Sequence, residues 1–337
     1  MHKQKKKVGI RGIILLAVGL VVLVAAVIVL NLNESERYKE TRGQMTEGFG
    51  KLKTVEWDGV TYREIPAVTT LLVVGVDRGQ TPITEKGSYL SRDGGPADFL
   101  MLMAIDHTDK KIYRMQIDRD TMAETDVLGV FGNNVGTRVM QICLSHNYGA
   151  TPTENAQFTV NAVKKLLGGM DIDGYYMIDY NSVPVINDAL GGVTVNIEFD
   201  MTSVNPEWIK GSTVTLHGED AETFVRTRKT VGAGTNEERM IRQNEYMSSA
   251  IKLMKQKMSE NLSFGEDLLN IMQKNSVSNF TQKRLLEELN QAYAYEVMSI
   301  DHPAGEYSIG LDGFVEFHME ENAAVEWVLN HLYTKVE

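Results

Sequence analysis

The chain has 337 residues, 43% of them hydrophobic and 23% charged, with a formal net charge of -11 and one cysteine. This acidic balance excludes the basic composition of a protein that coats nucleic acid, and a lone Cys143 excludes an internal disulfide framework. The length allows about two average domains, and one α/β domain with appendages fits it equally well.

Residues 12–30 form an unbroken apolar run without a charge, long enough to cross a bilayer as a helix. Lys3, Lys5, Lys6, Lys7 and Arg11 precede it, and the positive-inside rule then keeps the amino terminus in the cytoplasm. A cleaved signal peptide is the rival reading, but the run is long for one and no small-x-small site precedes Asn31. The expected organisation is a cytoplasmic basic tail at 1–11, a transmembrane anchor at 12–30, an extracellular spacer at 31–53 and an extracellular domain at 54–337.

Next in order, Val55–Tyr62 reads as a small hairpin, because Asp58-Gly59 is a favoured two-residue turn between strand formers. Thr70–Val76, Phe99–Ile105 and Lys111–Ile117 read as strands, and the first two are nearly continuous in apolar residues, as strands covered on both faces are. Helical patterns follow at 153–167 and 182–190, a strand at 193–197, a short helix at 220–225 and a long one at 235–258. Beyond Ser259 come a polar helix at 281–293, a glycine-containing stretch and a final helix at 321–333, read as the closing part of the same domain. Strands interleaved with helices predict a layered α/β/α domain with a central mixed sheet, preceded by the transmembrane helix.

The chemistry is not that of the commonest hydrolases. Seven histidines show no metal spacing, and neither a Gly-x-Ser-x-Gly elbow nor a Walker phosphate loop appears. Cys143, between Ile142 and Leu144, reads as buried packing. The informative group is Arg226-Thr-Arg228 followed by Arg239-Met-Ile-Arg242-Gln243, since planar guanidinium groups favour bidentate phosphate or carboxylate partners. Thr235-Asn-Glu-Glu238 has capping-box spacing, so Arg239, Arg242, Gln243 and Tyr246 share one helical face, and Met240, Met247, Ile251 and Met254 can face the core. Two readings fit: an anion site, or ion pairs with Glu237, Glu238 and Glu245 on a solvated helix. Further charges stand where strands end: Asp77 and Arg78 after the first, Asp98 opening the second, and Asp118-Arg119-Asp120-Thr121 after the third. Ligands bind at such ends in open α/β sheets.

Taken together, Leu71–Arg78, Ala97–Leu102, Gln116–Thr121, Tyr180–Asn196 and Arg226 through Gln243 resemble the LytR-CpsA-Psr cell-wall enzymes in order and in following one membrane anchor, with coverage of about 69–258. Three positions depart from that pattern: Ala97 replaces a usual serine, Asp118 a usual proline and Asn236 a usual aspartate. A longer stretch between Asp77 and Asp98, with Gly87, Gly94, Gly95 and Pro96, reads as a loop over the site.

The resemblance implies a membrane-anchored phosphotransferase that moves a glycopolymer from a polyprenyl-pyrophosphate carrier onto peptidoglycan outside the plasma membrane. It implies pyrophosphate binding by Arg78, Arg119, Arg226, Arg228, Arg239, Arg242 and Gln243, catalytic roles for Arg119, Asp120, Arg226 and Arg228, and magnesium held by Asp77 and Asp98. Asp120 would be the general base, the lipid would need an apolar channel between sheet and helices, and no nucleic-acid partner is implied. The competing readings are a non-catalytic binder of the same lipid that regulates, and a hydrolase with water as acceptor. Asp118-Arg-Asp120 alone would also suit a nucleotide-sugar glycosyltransferase.

Overall fold

The computed structural model describes residues 53–78, 94–129 and 132–336. The basic tail and the anchor at 12–30 lie outside the described residues, as does most of the expected loop between Asp77 and Asp98. The chain divides into two compact units, one from Ala67 to Thr334 and a smaller one comprising residues up to Pro66 and from Lys335. In the smaller, β1 (Thr54–Trp57) and β2 (Val60–Glu64) make the expected hairpin. Its turn puts both Asp58 and Gly59 at positive φ, 48° and 72°, the backbone a two-residue turn of this hand requires.

The larger unit is built on β3 (Val68–Val76), β4 (Ala97–Asp106) and β5 (Lys111–Ile117), an antiparallel meander that holds the centre of a six-stranded sheet. One hairpin and two helices follow it: β6 (Met122–Leu128) with β7 (Asn134–Gln141), a 3-10 helix at Ile142–Asn147, and α1 (Pro152–Leu166). Thr151 caps α1, its hydroxyl accepting from Glu154 N–H at 3.2 Å, with Pro152 opening the first turn. Strand β8 (Gly174–Asp179) then lies parallel to β3. A 3-10 turn at Tyr180–Ser182 leads into α2 (Val183–Leu190), and β9 (Val193–Asn196) pairs with β10 (Thr213–Leu216) away from the main sheet. Helices α3 (Glu219–Arg226) and α4 (Asn236–Glu260) complete the segment that carries the arginines.

The remainder is α5 (Phe264–Met272), β11 (Ser276–Ser278), α6 (Gln282–Ala292), β12 (Glu296–Asp301), the hairpin β13 (Gly305–Ile309) with β14 (Val315–Met319), α7 (Ala323–Leu332) and β15 (Tyr333–Lys335). This tail supplies both edges of the central sheet. The order is β11-β8-β3-β4-β5-β12, with β11 antiparallel to β8 and β12 parallel to β5. The sheet is mixed and helices cover both faces.

Side chains alternate along the strands and so separate two cores. Leu72, Val74, Leu100, Leu102, Met115 and Ile117 pack against α1 and α7, where Val160, Val163, Trp327 and Val328 meet them. Phe99 and Met101 face the opposite way, with Leu190, Phe224, Val225 and Tyr246 of the helical layer. On that second face the layers do not close. Leu71, Val73, Met101 and Met103 line an apolar cavity of about 340 Å³, roofed by α4, α5 and α6 through Met247, Ile251, Met254, Leu268 and Leu289.

Candidate active site

Five segments remote in sequence deliver charge to one end of the open face. Strand β3 runs out into Asp77, β4 carries Asp98 near its start, β5 runs out into Asp118-Arg119-Asp120, α3 ends at Arg226, and the first turns of α4 present Asn236, Arg239 and Gln243. Gly95 allows the approach beside Asp77: its φ is +72°, and a Cβ there would stand 2.3 Å from the Asp77 carbonyl oxygen. Asp77 N–H in turn donates to Pro96 O at 3.0 Å.

The first turn of α4 follows from its sequence. Thr235 caps the helix, its hydroxyl accepting from Glu238 N–H at 3.2 Å, while the Glu238 carboxylate reaches past the cap to Ala233 N–H at 2.8 Å. Arg239 is thereby turned inward, only 3% exposed. It donates to Asp98 Oδ2 at 2.8 Å and to Asn236 Oδ1 at 3.2 and 2.7 Å. Glu245, another candidate partner of a solvated helix, instead accepts from Asn196 N–H and Nδ2. The solvated-helix reading therefore fails for Arg239.

Arg226 grips Asp77 with two bonds, Nε to Oδ2 at 3.0 Å and Nη2 to Oδ1 at 2.6 Å, and Glu222 with a third at 2.8 Å. Arg119 lies 3.0 Å from Asp98 Oδ1 and 3.7 Å from Asp120 Oδ1, and it donates to the Cys143 sulfur at 2.8 Å. Burial works against the Arg119 cation, yet Cys143, Asp98 and Asp120 together raise its pKa above the ordinary value. Arg228 approaches Asp120 Oδ2 at 3.9 Å. Burial raises the Asp120 pKa, with Asp118 adding to the shift and Arg119 opposing it. A buried carboxylate raised in this way is a better proton acceptor than an exposed one.

Gln243 donates to Tyr180 OH at 2.9 Å and accepts from Gln116 at 3.4 Å. Arg78 stands close enough to Asp179 and His146 to bias both. Arg242 is placed otherwise than its spacing predicts. It is 2% exposed, and its two terminal nitrogens donate to the carbonyl oxygens of Phe224 and Thr227. The last carbonyls of a helix have no partner within it, so Arg242 staples the end of α3 and positions Arg226 rather than facing a ligand. Burial, with Arg239 beside it, pulls its pKa down to about 10.

Sequence reasoning passed over Tyr180, Gln116, Cys143 and Tyr307 as site components. Gln116 left a signal, a polar side chain in an otherwise buried strand. Cys143 is fully buried and burial pushes its thiol up to about 12, so it holds Arg119 as a neutral acceptor and is no nucleophile. Two of the three departures meet: Asn236 Nδ2 donates to Asp118 Oδ1 at 2.8 Å.

Among the described residues no three His, Cys, Asp or Glu side chains are grouped to hold a metal ion, and the expected ligands Asp77 and Asp98 meet Arg226 and Arg239. Asp77 follows β3 and Asp98 lies in the adjacent β4, and both act electrostatically on Tyr180. Asp98 Oδ1 is buried without an aligned hydrogen bond despite Arg119 at 3.0 Å, the kind of oxygen that accepts a further partner.

The cluster and the cavity are built on the same elements, β4 and α4, although no arginine of the cluster lines the cavity. Along α4, Arg239 and Gln243 are followed by Tyr246, Met247, Ala250, Ile251 and Met254, and along β4, Asp98 by Met101, Met103 and Ile105; the later members of both series line the cavity. Cationic groups at the end of an apolar chamber suit a ligand with an anionic head and a long apolar tail.

Comparison with known proteins agrees with this architecture. A family profile described as LytR_cpsA_psr family matches residues 35–327. The polyisoprenyl-teichoic acid–peptidoglycan teichoic acid transferase TagU of Bacillus mycoides is 28% identical over 218 residues, 65% of this chain and 62% of that relative's length. Its counterpart from Halalkalibacterium halodurans is 24% identical over 71% of each chain. Among solved structures, protein gbs0355 of Streptococcus agalactiae has a TM-score of 0.62 at 19% identity, covering 80% of this chain and 90% of that one. TagT bound to LI-WTA has a TM-score of 0.57 at 19% identity, covering 79% and 91%. These structural likenesses are likenesses of fold.

Proposed function

This chain belongs to the LytR-CpsA-Psr family, and from that premise we propose that it transfers a glycopolymer from a polyprenyl-pyrophosphate carrier to peptidoglycan. The observation that carries the reading is that β4 and α4 each carry charged residues of the arginine cluster at one end and apolar lining of the cavity further along. The prenyl chain lies among the methionines of the open face, and the pyrophosphate lies against Arg119, Arg226, Arg228 and Arg239, with Gln243 and Arg78 beside it. Relatives named as polyisoprenyl-teichoic acid–peptidoglycan teichoic acid transferases support this substrate class.

In the reaction a hydroxyl of the acceptor glycan attacks the phosphorus attached to the polymer. Asp120 takes the hydroxyl proton, a phosphodiester forms, and polyprenyl phosphate leaves. The carboxylates that now neutralise Arg226, Arg119 and Arg239 hold these cations in place before the anion arrives, which spares reorganisation when charge develops on the leaving phosphate. Asp77 and Asp98 would hold magnesium, which when bound neutralises phosphate oxygens that the arginines leave uncovered. The chain is read as a single-pass plasma-membrane protein, anchored at 12–30 with the catalytic unit outside.

The test is to incubate the full chain with a polyprenyl-pyrophosphate glycolipid and peptidoglycan fragments, with and without magnesium, and to identify both products by mass spectrometry. A phosphodiester-linked conjugate formed only with magnesium is expected. Free phosphorylated glycan would establish a hydrolase instead, and lipid retained without product would leave a binding protein.

A further inference from the structure

The β13–β14 hairpin lies beyond every motif used above, yet it is bound to the Asp118–Asp120 turn at three points. Phe317 N–H donates to Asp120 O at 2.8 Å, Gln141 from β7 donates to Val315 O at 2.5 Å while its amide also lies 3.5 Å from Asp120 Oδ1, and Tyr307 OH donates to Asp118 Oδ2 at 2.5 Å. The last distance is that of a charge-assisted O–H···O bond. The hairpin does not need this hydroxyl in order to form. Five registered pairs join β13 to β14, and the Tyr307 ring packs on Phe317 at 4.9 Å between centroids. Tyr307 is 46% exposed, so water could satisfy its hydroxyl, whereas Asp118 is 4% exposed and relies on protein donors.

Asp118 distributes that contact. Its Oδ1 accepts from Asp120 N–H at 2.7 Å and from Asn236 Nδ2 at 2.8 Å, and Asn236 Oδ1 accepts both bonds from Arg239. A continuous path of hydrogen bonds thus runs from Tyr307 through Asp118 and Asn236 to Arg239 and on to Asp98, and every member beyond Tyr307 is buried. In the low dielectric of the interior, hydrogen bonds linked in such a chain reinforce one another and favour one geometry. We propose that Tyr307 is a positioning residue: its hydroxyl, through Asp118, fixes the Asp118–Arg119–Asp120 turn and, through Asn236, the Arg239 guanidinium.

The proposal rests on the transferase reading for its kinetic consequence but not for its structural one, so two readouts separate them. Tyr307→Phe removes the hydroxyl and keeps the ring. In the full chain in detergent, the Arg239 Nε–H resonance, assigned by its loss in Arg239→Lys, should shift in Tyr307→Phe. In turnover, Tyr307→Phe should lower kcat about tenfold with KM for the lipid donor within about twofold, the pattern of a lost transition-state arrangement. Tyr307→Phe combined with Asp118→Asn should be no worse than Asp118→Asn alone by more than about twofold, since residues acting in one path do not add. The exchange Asp118→Asn with Asn236→Asp, which returns a carboxylate to the same hydrogen bond, should recover activity lost in Asp118→Asn. An unshifted Arg239 resonance overturns the proposal whether or not the wild type transfers anything. With an active wild type, unchanged kcat in Tyr307→Phe, or additive losses in the double variant, overturn it as well. Absence of conjugate from the wild type refutes the transferase reading alone.

Discussion

The two faces of the central sheet come from the same strands and are finished in opposite ways. On one, Leu72, Val74, Leu100, Leu102, Met115 and Ile117 meet α1 and α7 in a continuous core. On the other, neighbours one residue along, Leu71, Val73, Met101 and Met103, line a chamber of about 340 Å³. The pattern of apolar residues in the sequence is the same for both, so an apolar strand signals coverage without saying whether protein or ligand supplies it. What separates the faces is the opposite layer. Leucines, valines and a tryptophan close the first, whereas methionines of α4 border the second, where flexible thioethers adapt to an occupant.

The largest expected effect lies at the charged end of the open face. Arg119→Ala and Arg226→Ala should each cut turnover by a factor on the order of 10³, since each removes a donor aimed at developing charge, while circular dichroism shows the fold retained. Near-normal turnover in either would remove that residue from the site.

The closed face should respond in stability instead. Leu102 is fully buried there, and Leu102→Ala should cost about 3 kcal/mol in urea unfolding through lost contacts and the cavity left behind, without changing activity per folded molecule. Beside that face His146 is 3% exposed, with Nδ1 at the carbonyls of Gly94 and Gly95. Burial lowers its pKa from 6.5 to about 4. The unfolded chain therefore takes the proton first, so the contribution of neutral His146 is complete above pH 6.5 and is lost as pH falls toward 4. Urea midpoints should decline across that window, by up to about 3 kcal/mol from this group, and His146→Asn should flatten the decline.

The smallest effect on stability is expected from filling the chamber. Ala250 lines it, and Ala250→Phe should change unfolding free energy by less than about 1.5 kcal/mol while weakening a long-chain prenyl pyrophosphate about tenfold in a binding titration. A destabilisation like that of Leu102→Ala would mean that the two faces are packed alike.

Most of the framework was legible where chain-local chemistry decides it. Strands β3 to β5 announce themselves by apolar continuity, the first hairpin by Asp58-Gly59, and α4 by Thr235 and Glu238. Strand β8 was missed because Gly174-Tyr-Tyr-Met-Ile-Asp179 follows a glycine and aspartate cluster and shows no alternation. The edges β11 and β12 were missed because they are short and gain their identity only from the strands beside them. The arginines were legible as a group, but their partners were not. Asp77 and Arg226 are 149 positions apart, and Arg242 lies on the expected helical face only to meet the carbonyls of α3. Periodicity fixes which side a residue occupies; what waits on that side is set by tertiary packing.

The most direct measurement is to irradiate the full chain with a polyprenyl pyrophosphate carrying a photoreactive group in its tail and to map the adducts by mass spectrometry. Adducts at Met101, Met103, Met247, Ile251 and Met254, suppressed by Arg226→Ala, are the predicted result. Adducts confined to α7 or to the β13–β14 hairpin, with those five residues unlabelled, would contradict a lipid seated on the open face.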